Sequence, residues 1–141
     1  MNLRQYRAKA IPLIEMCLGG HFSHEAREAH RRTRGSTELE VVAQWAGPKL
    51  VGICGLGTED KSAKSVWLSY FAVHPDYRGR GIGKKLLAAT EQRAREQGYR
   101  WMLIETFVYD RFWGARQLYV NAGYTLINQE GGTLTYRKRL I

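Results

Sequence analysis

The sequence predicts a single α/β domain over residues 1–141, with a mixed central sheet flanked by helices. The chain has 141 residues, which is the length of one ordinary domain. Its apolar residues follow a helical period before residue 39 and a strand period over residues 39–73. The predicted order of elements over the whole chain is α-α-β-β-β-α-β-α-β-β, which is typical of a mixed α/β domain.

Two helical patterns precede the first strand pattern. The first covers residues 8–18 and ends at Gly19-Gly20. Its apolar residues lie on one face, and they are Ala10, Ile11, Ile14 and Leu18. The second covers residues 22–34, is very polar, begins with Ser23 as a cap and ends at Gly35.

Three segments rich in β-branched and aromatic residues follow, and each predicts a strand. They are Leu39–Ala46, Leu50–Leu56 and Ser65–Val73. The tripeptide Gly47-Pro48-Lys49 is a turn signal, so the first two strands are expected to form a hairpin. Glu59–Lys64 is the predicted loop before the third strand.

The rest of the chain predicts two helices and three strands. The helices are Gly81–Gln97 and Arg111–Asn121, and the strands are Arg100–Thr106, Tyr124–Ile127 and Thr133–Leu140. Gly98 and Gly123 are candidate helix ends. The strand Arg100–Thr106 is nearly continuous in apolar residues, as expected inside a sheet.

Composition favours an anionic partner and no membrane span. Lys and Arg number 22 and Asp and Glu number 13, so the formal charge is 22 − 13 = +9. No apolar run is long enough to cross a bilayer, and the N-terminus does not fit a signal peptide. Cys17 and Cys54 are the two cysteines, and they predict buried, reduced thiols in a cytoplasmic protein.

The segment Arg78–Lys84 (RGRGIGK) has the chemistry of a pyrophosphate site. It lies between a predicted strand and a predicted helix, whose first N–H groups lack partners and carry partial positive charge. Gly79, Gly81 and Gly83 let phosphates approach the backbone. Positive charge is added beside them by Arg78, Arg80, Lys84 and Lys85.

Two better-known phosphate loops do not fit this segment. The dinucleotide pattern GxGxxG fails because its third glycine position is Lys84. The pattern GxxxxGK[ST] fails because Gly79 and Gly83 are one residue too close and Lys85 replaces Ser or Thr. What the segment does match is RxxGxG.

The stretch Tyr70–Leu87 (YFAVHPDYRGRGIGKKLL) closely resembles motif A of the GNAT family of N-acetyltransferases. Glu91–Gly98, Ala115–Tyr124 (ARQLYVNAGY) and Tyr136–Leu140 resemble later parts of the same family. The resemblance implies the GNAT fold and acetyl-CoA as co-substrate. Because the family opens with a strand and only Met1–Tyr6 is available here, that first strand is expected to be short or absent.

The resemblance also implies the roles of individual residues. Phe71, Ala72 and Val73 would end the strand that pairs with the pantetheine arm. The pyrophosphate would be held by Arg78, Gly79, Arg80, Gly81, Ile82, Gly83 and Lys84. Tyr119 would lie near the thioester sulfur.

These roles describe a direct acetyl transfer in a ternary complex. The Val73 N–H would donate to the oxyanion, and Tyr119 would protonate the leaving thiolate, because phenols are protonated at neutral pH. No cysteine lies in the matched motifs, which disfavours an acyl-enzyme. The alternative for Tyr119 is an ordinary core aromatic, since it shares helical spacing with Phe112 and Ala115.

The general base stays open at this point. The strand Ser65–Val73 carries no acid, and the remaining candidates are Glu38, Glu40, Glu59, Asp60 and Glu105. A water chain or an amine that binds neutral fits equally well. His21, His24 and Glu28 share a helix face but form no known metal motif, so no metal is expected. His74 is interpreted as structural.

The acceptor also stays open. We expect a primary amine on a small molecule or peptide. The basic run Arg27–Arg34 allows a second interpretation, an RNA-linked amine such as a charged tRNA, although nucleic acid is not favoured. A third is an acyl-CoA-binding module without catalysis.

Phe107–Trp113 is predicted to be an aromatic loop. Members of the resembled family often carry an asparagine here that touches the cofactor, and this chain has Asp110, Arg111 and Phe112 instead. A homodimer is neither predicted nor excluded.

Overall fold

The structure is a computed structural model, and it describes residues 9–10, 12–14, 16–17 and 41–141, without the side chains of Thr58 and Tyr70. The chain divides into two compact units. The first consists of the residues up to Gly57 together with Ser69–Thr90, and the second of Thr58–Leu68 together with Glu91–Ile141. The interpretation of residues 1–141 as a single domain stays a prediction.

Six strands and two helices make up residues 41–141. They are β1 (Val41–Ala46), β2 (Lys49–Asp60), β3 (Ser65–Val73), α1 (Ile82–Glu96), β4 (Trp101–Phe107), α2 (Trp113–Asn121), β5 (Thr125–Glu130) and β6 (Thr133–Arg139). Hydrogen bonds join the strands in the order β1-β2-β3-β4-β6-β5. The β3–β4 pair is parallel and the β1–β2, β4–β6 and β5–β6 pairs are antiparallel. The sheet is therefore mixed, and the predicted α/β class is confirmed.

The first unit contains the predicted hairpin and a helical packing face. Strands β1 and β2 pair from Val41↔Gly55 to Ala46↔Lys49, and Gly47 turns the chain with a φ of 57°. The described residues between Lys9 and Cys17 are helical, as predicted. Their apolar side packs in one buried cluster with the strands, and its members are Ala10, Leu13, Ile14, Leu50, Ile53 and Ala72.

The second unit is built on β4 and β6, which pair from Trp101↔Arg139 to Phe107↔Thr133. Because alternate strand residues face opposite sides, one face of this pair is buried and the other is not. The buried face carries Met102, Ile104, Thr106, Leu134 and Tyr136. The other face carries half-buried or exposed residues such as Trp101 and Arg137.

Among the described residues, three element boundaries differ from the prediction by two or more residues, for local reasons. Glu59 and Asp60 belong to β2 rather than to a loop, and the Asp60 carboxylate closes the turn by accepting the N–H groups of Ser62 (3.0 Å) and Ala63 (3.2 Å). Helix α2 begins at Trp113, after a 3₁₀ turn over Asp110–Phe112. Strand β5 runs to Glu130, where the left-handed Gly131 (φ 58°) starts the hairpin turn.

Two predicted segments lie outside the described residues. They are the polar helix over residues 22–34 and the short opening strand over Met1–Tyr6.

Candidate functional site

The end of β3 leads directly into the glycine-rich segment. The N–H of His74 donates to the carbonyl of Val51 at 2.8 Å, and a 3₁₀ turn over Pro75–Tyr77 follows. His74 caps this turn, because its Nδ1 accepts the N–H of Asp76 at 3.1 Å. The geometry agrees with the structural interpretation of His74. The turn brings the chain from the strand end to the start of α1.

Arg78 reaches back to the strand end in this structure. Its Nε donates to the carbonyl of Val73 at 3.0 Å, and its Nη2 lies 3.6 Å from the sulfur of Cys17. The Cys17 thiol donates to the same carbonyl at 3.3 Å. Burial raises the pKa of the Cys17 thiol, and the Arg78 charge opposes that rise without cancelling it. A guanidinium and a thiol thus both donate to the last carbonyl of β3.

Two glycines shape the segment Arg78–Lys84, which we name the cradle. Gly79 and Gly81 have φ angles of 77° and 79°, a region that side chains with a Cβ rarely adopt. A Cβ added at either position would meet no protein atom within 4 Å. Their requirement is therefore conformational, and the space beside them is open to a ligand. These open positions fit the approach of a pyrophosphate to backbone N–H groups.

Cations surround the same backbone. Arg80, Lys84 and Lys85 are exposed, while Ile82 and Gly83, at the start of α1, are half-buried. The guanidinium of Arg80 lies 4.9 Å from the ring centroid of Tyr77, and the ammonium of Lys49 lies 5.4 Å from it. Cation–π attraction of this kind orients the charge of Arg80. Tyr77 and Lys49 were not identified from the sequence.

Gly52 was also missed, although a glycine inside a strand signals a close backbone approach. It lies in β2, and a Cβ built on it would come within 2.7 Å of Leu86 Cδ1 and 3.1 Å of Ile82 Cγ2. The first turns of α1 therefore pack directly on the backbone of β2. This contact holds the helix start, and with it the cradle.

The three residues predicted for the pantetheine arm end strand β3. Ala72 is buried at 3% exposure and belongs to the apolar cluster of the first unit. Phe71 and Val73 are half-buried. Among the predicted site residues, these three and Arg78–Lys84 all lie in the first unit.

Tyr119 lies in the second unit, on α2, and is buried at 4% exposure. Its ring centroid is 6.1 Å from that of Tyr124 and 6.1 Å from that of Tyr136. The Tyr124 hydroxyl donates to Glu91 at 2.7 Å, and Lys138 forms an ion pair with Glu91 at 3.0 Å. We name Tyr119, Tyr124 and Tyr136 the tyrosine cluster. Its packing is compatible with either interpretation of Tyr119.

The candidate bases have different surroundings. Glu59 accepts the Tyr99 hydroxyl and pairs with Lys61 at 3.6 Å, while Asp60 closes its turn. Both carboxylates therefore have structural partners in the second unit. Glu105 is exposed on β4. The other two candidates, Glu38 and Glu40, lie outside the described residues.

The aromatic loop Phe107–Trp113 is held by one arginine. Arg116 Nη1 donates to the carbonyls of Phe107 (2.6 Å) and Tyr109 (2.8 Å). The rings of Phe107 and Tyr109 stack at 6.0 Å. Asp110 opens the 3₁₀ turn in this loop and is exposed.

Within the described residues, no group of three or more His, Cys, Asp or Glu side chains is close enough together to hold a metal. His21, His24 and Glu28 lie outside those residues. None of the described helices combines the length and the apolar character that a membrane crossing requires.

Comparison with known proteins gives a family match over most of the chain. The profile described as the acetyltransferase (GNAT) family matches residues 10–124. An acetyltransferase from Sodalis glossinidius (strain morsitans) is 30% identical over 103 residues, which are 70% of this chain and 70% of that protein. N-acetyltransferase 8F1 from Rattus norvegicus is 33% identical over 95 residues, 65% of this chain. The match spans 42% of the rat protein, less than half its length.

Solved structures share the fold. A GNAT-family acetyltransferase from Staphylococcus aureus Mu50 superimposes with a TM-score of 0.79 at 22% identity, over 99% of this chain and 96% of that one. The PaiA N-acetyltransferase from Thermoplasma acidophilum, solved in complex with coenzyme A, gives a TM-score of 0.77 at 15% identity. That alignment covers 94% of this chain and 91% of the PaiA chain. At these identities the likeness is one of fold.

Proposed function

Since this chain belongs to the acetyltransferase (GNAT) family, with acetyl-CoA as co-substrate, we propose that it transfers an acetyl group to a primary amine on a small molecule or a peptide. The observation that carries the proposal is the cradle at the start of α1. Two left-handed glycines, Gly79 and Gly81, stand beside open space, and Arg80 and Lys84 are exposed there.

The residues of the cradle would hold the pyrophosphate of acetyl-CoA. The N–H groups at the start of α1 supply donors, because the first N–H groups of a helix have no partner within it. Arg80 and Lys84 supply charge. We assign Arg78 a positioning role, because its guanidinium is bonded to the Val73 carbonyl at 3.0 Å. Phe71, Ala72 and Val73 would line the pantetheine arm.

Acetyl-CoA supplies a thioester, whose carbonyl carbon is the electrophile for an amine. We assign the Val73 N–H to the developing oxyanion, a type of contact worth about 2.7–4 kcal/mol in other enzymes. We assign Tyr119 as the general acid for the leaving thiolate, a role typically worth about 10²–10⁴ in rate. Glu105 is the exposed carboxylate of β4 and the first candidate to test as a base.

A thiol-release assay tests the proposal. The protein is mixed with acetyl-CoA and a panel of amines, and the coenzyme A thiol is detected with a chromogenic disulfide. We expect at least one amine to give release above the hydrolysis background. Initial-rate lines that intersect when both substrates are varied indicate a ternary complex, whereas parallel lines indicate an acyl-enzyme and contradict direct transfer.

Calorimetry with coenzyme A separates the enzyme from a binding module. Binding without thiol release across the panel favours an acyl-CoA-binding module and contradicts the catalytic proposal. Failure to bind coenzyme A contradicts the cradle assignment itself.

Compartment and assembly are further parts of the proposal. Cys17 is half-buried and Cys54 is buried, and neither is in a disulfide, which supports a reducing compartment such as the cytoplasm. Light scattering on the purified protein measures whether it forms a homodimer.

A further inference from the structure

Two arginines of the second unit lie over one indole ring. The guanidinium carbon of Arg137 is 4.3 Å from the centroid of the Trp101 ring, and that of Arg139 is 5.7 Å from it. Strand register explains the arrangement. Trp101 pairs with Arg139 and Leu103 pairs with Arg137, so these side chains share one face of the β4–β6 pair. Both arginines are exposed and Trp101 is half-buried.

The ring contacts order these arginines before any ligand arrives. A guanidinium already held over an aromatic ring loses little conformational entropy when it binds a ligand, and its N–H groups can still donate to an anion. Arg139 is held further, because its Nε donates at 2.7 Å to a main-chain oxygen of Ile141, the last residue of the sequence. Both guanidinium groups are therefore held in fixed positions, and Arg139 keeps its remaining N–H groups for an anionic ligand.

Two more cations lie at the same end of the sheet. The carbonyl of Lys64 accepts the N–H groups of Arg100 at 2.7 Å and Trp101 at 3.2 Å, so Lys64 and Arg100 lie next to the indole along the backbone. Both residues are exposed. We name Trp101, Arg137 and Arg139 the Trp101 surface, and Lys64 and Arg100 are its main-chain neighbours.

Nearby carboxylates have other partners. Glu59 accepts the Tyr99 hydroxyl and pairs with Lys61, and Asp60 accepts Ser62 and Ala63. Glu105 shares the face of Trp101 but lies four residues further along β4, about 13 Å away at the usual strand rise. These three acids therefore leave the positive charge of the Trp101 surface available to an anionic ligand.

The spacing and the aromatic content favour a nucleic acid strand. The Cα atoms of Arg137 and Arg139 are about 6.8 Å apart along β6, and both guanidinium groups lie over the same indole, so one nucleic acid strand crossing that ring would meet both charges. Trp67 pairs with Leu103 in the parallel β3–β4 ladder, so a second half-buried indole shares the same face. We propose that the Trp101 surface binds the phosphate backbone of a single-stranded nucleic acid, independently of acetyl transfer.

Fluorescence anisotropy with a labelled uridine oligonucleotide of about ten nucleotides, a length within the range of single-strand sites, tests this proposal. Saturating coenzyme A is present throughout, so that the cradle is occupied. We expect binding that weakens with salt, with a log–log slope of about −0.7 per phosphate contacted. The double variant Arg137→Ala/Arg139→Ala should bind at least about tenfold more weakly, with a slope smaller by about 1.4.

Two matched variants define the contradicting outcomes. Arg93→Ala/Arg111→Ala removes the same net charge elsewhere in the second unit and should change affinity less than about twofold. Arg137→Lys/Arg139→Lys keeps the charge but removes the guanidinium groups that lie over the indole, and should keep the slope while losing affinity. Absence of binding in the wild type, or an equal loss in the Arg93/Arg111 variant, overturns the proposal.

A glutamate peptide of equal charge distinguishes the other partner class. If it competes as well as unlabelled oligonucleotide, the surface serves an acidic protein segment, and the nucleic acid assignment is wrong. Each variant is also tested for coenzyme A binding, which reports folding and is independent of the oligonucleotide result.

Discussion

The cradle of the first unit and the tyrosine cluster of the second differ in what carries their proposed function. In the cradle, the functional features are backbone dihedral angles, N–H groups and exposed charges, as at Gly79, Gly81 and Arg80. In the tyrosine cluster, the proposed function belongs to one hydroxyl, on a ring that is also core. Substitutions in the cradle should therefore weaken cofactor binding without unfolding the protein. Substitutions in the tyrosine cluster should affect both the function and the stability of the protein.

Tyr119→Phe gives the largest expected effect. Removing the hydroxyl should lower kcat by about 10²–10⁴ while the KM for acetyl-CoA changes little, because a general acid acts in the transition state. Tyr124→Phe is the control, since it removes a hydroxyl that donates to buried Glu91 at 2.7 Å. It should cost about 1–3 kcal/mol of stability and leave kcat unchanged. Equal kcat values in the two variants would contradict the general-acid role and identify Tyr119 as a core aromatic residue.

Gly81→Val should abolish most cofactor affinity. A β-branched residue at φ 79° is strained, and its branches extend into the open side of the cradle. We expect the KM for acetyl-CoA to rise about a hundredfold, which corresponds to about 2.7 kcal/mol. Gly131→Val has the same type of strain at φ 58° in the β5–β6 turn. Gly131→Val should lower the Tm and leave the KM for acetyl-CoA unchanged. A rise of that KM in both variants would refute the assignment of the cradle as the cofactor site.

Gly52→Ala should have an intermediate effect on both stability and binding. The new methyl group would lie 2.7 Å from Leu86 Cδ1, so α1 must shift or the core must repack. We expect a loss of about 1–3 kcal/mol in urea unfolding. We also expect a rise in acetyl-CoA KM of about threefold, because the helix start moves. Gly114→Ala in α2 meets no atom within 4 Å and should be neutral or stabilising.

The smallest expected effect concerns the thiol beside Arg78. Burial raises the pKa of the Cys17 thiol above the ordinary value of a cysteine, so the thiol stays protonated at neutral pH. Alkylation of Cys17 by iodoacetamide, followed by mass spectrometry, should reach half its maximal rate only above that value. For a raised thiol pKa, the linked stability is present at neutral pH and decreases as pH rises through the folded-state value. Rapid alkylation at pH 7 would contradict this environment.

The local parts of the site could be predicted from the sequence. Gly79 and Gly81 adopt positive φ angles inside the glycine-rich segment that the sequence identified, and β3 has its predicted bounds, Ser65–Val73. These features depend on neighbours a few residues away. The element boundaries were less accurate at Asp60, where β2 continues four residues beyond the predicted Leu56 to an Asx-type turn, and at Trp113, where a 3₁₀ turn delays the start of α2 by two residues.

Contacts between distant residues could not be predicted. Cys17 and Arg78 are 61 positions apart, and Arg137 and Trp101 meet only through the register of β4 and β6. Residue type alone does not say which arginine reaches a carbonyl and which one stacks on an indole, since both arrangements satisfy the same side chain.

The sequence by itself determined the order of strands and helices, the family and the position of the cradle, because hydrophobic period and glycine conformation are local properties. Only the tertiary structure decided that the start of α1 packs on Gly52 and that Arg78 donates to the Val73 carbonyl. The two arginines that lie over Trp101 were likewise visible only there. The physical reason is that packing and strand register bring together residues that no local pattern connects.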